Sequence, residues 1–260
     1  MADATVSGAR QAGRMSGEHS TPAPAGFVLV GGYWIGPWAW QQVRRRLQAL
    51  GHRVEVPVLP GLGDGTPPER VTAGDQAEAI LASLRRLTDP VLVVHSGAGA
   101  LASLVTDRDS EAVARVVYVD SGPVSDGHVP VPGRDGSEPL PVPTVEELSA
   151  MGPLTSDLTP AQLAEFVAEG LPQPGSVVTT PVNLRNPQRL DVPSTVVCCG
   201  FSSEQVQEFA RGGDPMFAPT LDLHHLDHVD LPGGHWPMLA QPDALANCLH
   251  QLVSPGVRLQ

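Results

Sequence analysis

Short apolar runs alternate with helical patterns from Phe27 onward, and this alternation constrains the fold more than any other feature of the sequence. The runs FVLV at 27–30, RVEVPVLPG at 53–61 and VLVVH at 91–95 have the length and composition of buried strands. A stretch such as WAWQQVRRRLQALG at 38–51 instead carries apolar residues three to four positions apart and ends at glycine. This order predicts an α/β protein with a mostly parallel central sheet and helices on both faces.

The alternation stops over residues 122–190, where the first half is rich in Pro, Gly and Asp. A helical pattern inside this stretch begins at Thr159, which is a good N-cap residue followed by proline. We therefore expect a core formed by residues 26–121 and 191–260, with 122–190 inserted as a cap or lid. Residues 1–25 are rich in Gly, Ala, Ser and Thr and are expected to be a disordered N-terminal segment.

Charge and cysteine content narrow the class of protein. The net charge is −12, from 28 acidic and 16 basic residues, so a nucleic-acid partner is not expected. There is no apolar run of membrane-spanning length and no secretory signal pattern, which favours a cytoplasmic protein. The three cysteines, Cys198, Cys199 and Cys248, are expected to be reduced core residues.

The stretch VLVVHSGAGALASLV at 91–105 places Ser96 where a strand ends and a helix begins. Ligands of parallel α/β sheets bind beyond the carboxyl ends of the strands, so this hydroxyl would face the binding crevice. Small residues after the serine, Gly97 and Ala98, permit the tight turn of a nucleophile elbow. The usual glycines two positions before and after the serine are replaced by Val94 and Ala98. Ser96 acting only as a helix cap is the alternative.

Two further segments supply partners for a serine nucleophile. His235 lies in DLPGGHWPMLAQPDAL, after the last strand-like run, and is a candidate base or else a surface-loop histidine. Gly31 and Gly32 follow the first strand, so the N–H of Tyr33, together with that of Gly97, could form an oxyanion hole. The aromatic residues expected to form the apolar wall of the site are Tyr33, Trp34 and Trp236, and for Tyr33 and Trp34 ordinary packing is the alternative.

The segment at 27–63, FVLVGGYWIGPWAWQQVRRRLQALGHRVEVPVLPGLG, resembles the first part of the core sequence in the α/β-hydrolase superfamily. It is most similar to the branch of methylesterases and hydroxynitrile lyases, which typically read HGxWHGxWxW there. The serine turn and the histidine segment also match, so the resemblance covers roughly 27–121 and 192–253. It implies an α/β-hydrolase fold, although that fold hosts many chemistries.

The triad acid departs from the family pattern. The family's usual acid position, in the loop after STVVCCG, falls here at Ser203, and the usual His-Gly after the first strand is Gly31-Gly32. Asp120 ends the preceding strand and is the preferred acid, as in some family members. Glu204, one residue beyond the usual place, is the alternative, and a site with no triad acid is the third interpretation.

The sequence thus leads to a serine hydrolase that cleaves a small apolar ester, thioester or lactone through an acyl-enzyme on Ser96. A lyase or cyclase that uses the same Ser/His pair, and an inactive ligand-binding member of the fold, remain as alternatives. No cofactor is expected, and the spacing of His224, His225 and His228 does not fit a closed metal site. The expected partner is a small-molecule substrate; a homo-oligomer is compatible with the sequence.

Overall fold

The computed structural model describes residues 24–254. The strands are β1 (Gly26–Val30), β2 (Arg53–Glu55), β3 (Val91–His95), β4 (Arg115–Val119), β5 (Ser194–Cys198) and β6 (Leu226–Asp230). The α-helices are α1 (Gln41–Ala49), α2 (Ala73–Leu84), α3 (Gly99–Arg108), α4 (Val145–Ala150), α5 (Pro160–Glu169), α6 (Gly175–Thr179), α7 (Ser203–Arg211), α8 (Pro237–Ala240) and α9 (Pro242–Leu252).

The six strands form one sheet in the order β2-β1-β3-β4-β5-β6, and every neighbouring pair is parallel. The predicted fold class is confirmed. Strand order reverses between β1 and β3, since β2 lies outside β1 while the later strands extend in the opposite direction. A crevice therefore opens at the carboxyl ends of β1 and β3, which is where ligands of such sheets bind.

Helices cover both faces of the sheet because each central strand is apolar on both sides. Leu29 and Val93 face one way and pack in a core that includes residues of α1 and α9. Val28 and Leu92 face the other way and pack against residues of α2 and α3. This two-sided burial explains why the strands read as continuous apolar runs rather than as alternating patterns.

Strand β2 is shorter than the sequence predicts. The run at 53–61 pairs with β1 only over Arg53–Glu55, at the edge of the sheet. The prediction of a longer strand is wrong beyond Glu55. Pro57 and Pro60 have no N–H to donate, so the chain leaves the sheet before them.

Residues 122–190 contain α4, α5 and α6 and lie against the carboxyl edge of the sheet. The Leu171 N–H donates to the carbonyl of Trp34, in the loop after β1, at 2.8 Å. The His235 N–H, in the loop after β6, donates to Leu154 O at 2.7 Å. The predicted cap at Thr159 is confirmed, since its hydroxyl accepts from the N–H of Gln162. This segment therefore touches two loops that follow core strands.

Three further expectations concern the cysteines, membrane-spanning helices and the N-terminal segment. Cys198, Cys199 and Cys248 are free and buried, as predicted. Within residues 24–254, no helix combines the length and apolar character needed to cross a membrane. The predicted disordered segment, residues 1–25, lies outside the described residues except for its last two.

Candidate active site

Ser96 occupies a strained turn between β3 and α3. Its backbone φ is +51°, in the left-handed region that non-glycine residues rarely adopt. A short 3₁₀ turn over Ser96–Ala98 then leads directly into α3. The carbonyl of Ser96 accepts a hydrogen bond from the hydroxyl of Ser121 at 2.5 Å, which fixes the turn against the loop after β4. The turn thus holds the side chain at the carboxyl edge of the sheet.

His235 contacts the Ser96 hydroxyl from the loop between β6 and α8. Its Nε2 lies 2.8 Å from Ser96 Oγ, and its Nδ1 lies 2.5 Å from Asp120 Oδ2. The His235 side chain is 18% exposed and that of Asp120 is 14% exposed, so water has little access to the pair. The three side chains form one hydrogen-bonded chain from carboxylate to hydroxyl.

Asp120 follows β4 and also has a left-handed backbone, with φ +42°. Its Oδ1 accepts from the N–H groups of Cys199 and Gly200, at 3.1 and 3.0 Å. Burial raises the pKa of this carboxyl, but the hydrogen bonds and charge of His235, aided by the Gly200 amide, outweigh that effect and lower it. Asp120 is therefore ionised at neutral pH and can only accept hydrogen bonds.

The charge state of Asp120 determines the tautomer of His235. A carboxylate has no hydrogen to donate, so the hydrogen between the two side chains resides on His235 Nδ1. In neutral His235, Nε2 then carries a lone pair and accepts the hydrogen of the Ser96 hydroxyl. This is the arrangement in which an imidazole can remove a proton from a serine.

Two backbone amides, those of Tyr33 and Gly97, directly follow the residues that meet at the serine turn, Gly32 and Ser96. Gly32 approaches so closely that a Cβ there would lie 2.7 Å from Ser96 Cβ, which only glycine avoids. The Tyr33 amide follows Gly32 in the loop after β1, and the Gly97 amide follows Ser96 in the serine turn. Neither N–H donates to an acceptor within residues 24–254, so both are available to a bound oxygen.

The alternative acid lies away from this centre. Glu204 is exposed in the first turn of α7 and makes no hydrogen bond to His235. Ser203 occupies the position where the family usually has its acid. It hydrogen-bonds to Asp230 instead: its N–H donates to Oδ1 at 2.6 Å and its hydroxyl donates to Oδ2 at 2.9 Å. Of the two candidate acids, the structure brings only Asp120 to His235.

Two of the aromatic residues expected to wall the site, Trp34 and Trp236, contact site residues but do not line the cavity described below. Trp236 is 2% exposed and lies against Phe166, with ring centroids 5.2 Å apart, and beside His235 at 4.8 Å. Its ring contacts that of His235, in the loop between β6 and α8, which we call the histidine loop. Trp34 has a backbone φ of +68° and joins the loop after β1 to Leu171 through its carbonyl. Tyr33 alone of the three faces the cavity.

Further residues that the sequence did not indicate hold the histidine loop. Asp157 Oδ2 accepts from the N–H of Gly234 at 2.6 Å, and Leu154 O accepts from the N–H of His235 itself. Both come from the segment at 122–190. No local pattern signals these contacts, because the two segments lie about 80 residues apart in the chain.

A small cavity of about 20 Å³ adjoins the Tyr33 and Gly97 amides. Its lining includes Tyr33, Gln76 and Leu101 from the core and Pro130, Gln173 and Val177 from the segment at 122–190. We name it the carboxamide cavity after its two glutamines. Burial raises the pKa of Tyr33 to about 12, so its phenol is neutral and keeps its hydrogen.

The histidines at 224, 225 and 228, which are close in the sequence, do not form a metal site. His224 Nδ1 instead contacts Asp191 Oδ1 at 2.7 Å. Across the described part of the chain, no three His, Cys, Asp or Glu side chains come together in a way that could hold a metal ion.

The sequence and the structure are both similar to those of known hydrolases. The model of the alpha/beta hydrolase family matches residues 27–247. A carbendazim hydrolyzing esterase from Nocardioides sp. (strain SG-4G) is 29% identical over 248 residues, which cover 88% of this chain and 99% of that protein. Methylesterase 7 of Arabidopsis thaliana is 35% identical over 99 residues, 36% of this chain and 38% of that protein.

Among solved structures, a methylesterase protein from Arabidopsis, MES16, superposes with a TM-score of 0.66 at 18% identity. The superposition covers 88% of this chain and 98% of the methylesterase. At that identity the likeness concerns the fold.

Proposed function

This chain belongs to the alpha/beta hydrolase family, and on that premise we propose that it is a serine esterase with Ser96 as the nucleophile. The observation that carries the proposal is the hydrogen-bonded chain from Asp120 through His235 to Ser96, with contacts of 2.5 and 2.8 Å. The names of the relatives, a carbendazim hydrolyzing esterase and a methylesterase, support ester hydrolysis as the reaction.

In the first half of the proposed reaction, Ser96 Oγ attacks the carbonyl carbon of the substrate while its proton passes to His235 Nε2. The amides of Tyr33 and Gly97 donate to the oxyanion that forms. The imidazolium then gives the proton to the departing oxygen or sulfur, and the acyl group remains on Ser96. Asp120 stabilises the imidazolium and keeps the Nδ1 hydrogen in place throughout.

In the second half, water replaces the alcohol or thiol. His235 removes a proton from the water, the resulting hydroxide attacks the acyl carbon, and the proton returns to Ser96 Oγ as the acid is released. The segment at 122–190 serves as a cap over this centre, since it supports both the histidine loop and the loop that carries Tyr33.

The proposed substrate is a small uncharged ester, thioester or lactone with a largely apolar body. The cavity beside the two amides supports this class, because its walls are mostly aliphatic and no Asp, Glu, Arg or His side chain lines it. A charged acyl group would be desolvated there without a counter-charge.

A fluorophosphonate probe tests the nucleophile directly. We expect the folded wild type to be labelled, with peptide mapping by mass spectrometry placing the adduct on Ser96. The Ser96→Ala variant should take no label, while Ser137→Ala, which removes an exposed serine whose hydroxyl donates to Asp135, should be labelled normally. Unlabelled wild type, or labelling that persists in Ser96→Ala, would overturn the proposal.

Trapping the acyl-enzyme distinguishes hydrolysis from proton-transfer chemistry at the same pair. Rapid quenching after mixing with a 4-nitrophenyl ester should give Ser96 carrying the acyl mass. Turnover of a substrate with no such adduct would point instead to a lyase or cyclase in which Ser96 and His235 only move protons.

A further inference from the structure

The carboxamide cavity lies next to the oxyanion amides but has an unusual polar element in its wall. Gln173 is only 4% exposed. Its backbone N–H and carbonyl are both satisfied by Leu140, at 3.0 and 2.8 Å. Its side-chain amide makes no hydrogen bond within residues 24–254. The amide is not among the polar side-chain atoms that are sealed from solvent without a partner, so it remains accessible from the cavity that Gln173 lines. A group that enters the cavity could therefore hydrogen-bond to it.

Gln76 contributes a second amide to the lining of the cavity. It is 1% exposed, and its Nε2 donates to Pro60 O at 2.9 Å. The carbonyl acceptor requires nitrogen on that side, so the orientation of this amide is unambiguous. Its Oε1 has no donor among the described residues. The cavity wall therefore holds one fixed acceptor from Gln76 and a free donor and acceptor from Gln173.

The side chains that line the carboxamide cavity disfavour a charged ligand. No Asp, Glu, Arg or His side chain is among the cavity residues, and the Tyr33 phenol is neutral at any physiological pH. Neutral amides bind carbonyl oxygens, amides and hydroxyls through directional hydrogen bonds. The remaining lining is aliphatic, from residues such as Leu101 and Val177.

The size of the cavity limits which part of a ligand it accepts. About 20 Å³ accommodates one small polar group and not a whole acyl chain. The rest of such a chain would run past Tyr33 and Gly97 to the carbonyl carbon at Ser96. The polar group would thus be the far end of a short acyl chain.

We propose that the carboxamide cavity is a subsite for a neutral hydrogen-bonding group, such as a ketone, amide or carbamate oxygen, at the end of the substrate's acyl part. This deepens the proposed esterase function and rests on it for the position of the reacting carbonyl. Gln173 is then a specificity-determining residue that contacts the acyl terminus, with Gln76 as its partner for groups that also donate.

Two isosteric esters test the subsite. In 4-nitrophenyl 4-oxopentanoate a ketone oxygen replaces one terminal methyl group of 4-nitrophenyl 4-methylpentanoate. We expect wild type kcat/KM, normalised to each ester's alkaline hydrolysis rate, to favour the ketone about fivefold or more. In Gln173→Met, which keeps side-chain length, the ratio should fall to about one. Gln48→Met, an exposed glutamine on α1, should keep the wild-type ratio.

A binding measurement separates this inference from the esterase proposal. The two methyl esters of the same acids are titrated by NMR against Ser96→Ala and against Ser96→Ala/Gln173→Met, both first shown to be folded. Tighter binding of the ketone to the first variant and equal binding to the second would support the subsite, even if the wild type turned over neither ester. Equal binding to Ser96→Ala, or a ketone preference that survives Gln173→Met in either assay, would overturn it.

Discussion

His95 donates the hydrogen on its Nε2 to the backbone carbonyl of His235, 2.7 Å away, and the two rings lie 4.6 Å apart. A carbonyl only accepts, so Nε2 carries the hydrogen and Nδ1 is left as a buried acceptor without a partner among the described residues. Burial, with repulsion from His235, lowers the pKa of His95 to about 3. The residue before Ser96 therefore holds the histidine loop as a neutral imidazole.

We expect His95 to make the protein less stable as the pH falls. Its pKa is about 6.5 unfolded and about 3 folded, so below pH 6.5 the unfolded chain binds a proton that the native state does not. The free energy of unfolding then declines with falling pH by up to about 1.4 kcal/mol per unit for this group, and above pH 6.5 it contributes no slope. Urea unfolding at several values between pH 7 and 4 measures this.

The variant His95→Gln keeps a donor near the Nε2 position but has no group that titrates in this range. Its stability should decline less steeply than that of the wild type between pH 6 and 4. His225→Gln, which removes an exposed histidine, provides the control and should follow the wild-type curve. Parallel curves for His95→Gln and the wild type would contradict the buried neutral state of His95.

Asp120→Asn should abolish most activity without unfolding the protein. The asparagine oxygen can still accept from the amides of Cys199 and Gly200, which turns its NH₂ group toward His235 Nδ1. His235 would then have to carry its hydrogen on Nε2, where it can no longer accept the Ser96 proton. We expect kcat for a 4-nitrophenyl ester to fall by about 10³ to 10⁴ with an unchanged circular dichroism spectrum.

Glu204→Gln is the matched test of the other candidate acid. Because Glu204 is exposed on α7, its neutralisation should leave kcat within about twofold of the wild type. Activity retained in Asp120→Asn and lost in Glu204→Gln would assign the acid to Glu204 after all.

Much of the site's layout was predictable because parallel strands align their carboxyl ends. In the register of β3 and β4, His95 pairs with Val119, so the next residues, Ser96 and Asp120, fall side by side at the sheet edge. Strand periodicity and chain order are local properties that can be read from the sequence. The convergence of Ser96 and Asp120 follows from them without knowledge of any side-chain contact.

The surroundings of the site were not predictable in the same way. The sequence predicts Trp236 at the substrate wall, whereas in the structure it packs against His235 and Phe166, because a buried aromatic side chain suits either setting. Gln173 gave no signal, because its exposure depends on how the segment at 122–190 folds back over α2 and α3. Such placements arise from contacts between distant parts of the chain, which periodicity and turn chemistry do not encode.

Gly32→Ala tests the close approach of the loop after β1 to the serine turn. The added methyl would lie 2.7 Å from Ser96 Cβ and 2.8 Å from the carbonyl of His95, so the loop must move outward. The Tyr33 amide moves with it, and we expect kcat to fall about 100-fold or more, as for loss of an oxyanion donor. Gly122→Ala meets its nearest neighbour at 3.5 Å and should retain activity; equal loss in both variants would contradict the argument.

Tyr33 and Gly97 should behave as a coupled pair. The Tyr33 ring lies over Gly97, in the space that a side chain at position 97 would occupy, so Gly97→Ala would drive a methyl group into the ring. We expect this variant to lose stability and to displace the oxyanion amides, with kcat/KM reduced about 100-fold. Removing the ring as well, in Tyr33→Ala/Gly97→Ala, relieves the overlap and should recover part of that kcat/KM. The ratio across the double-mutant cycle measures the coupling, and purely additive losses would mean that the ring does not fill the space above Gly97.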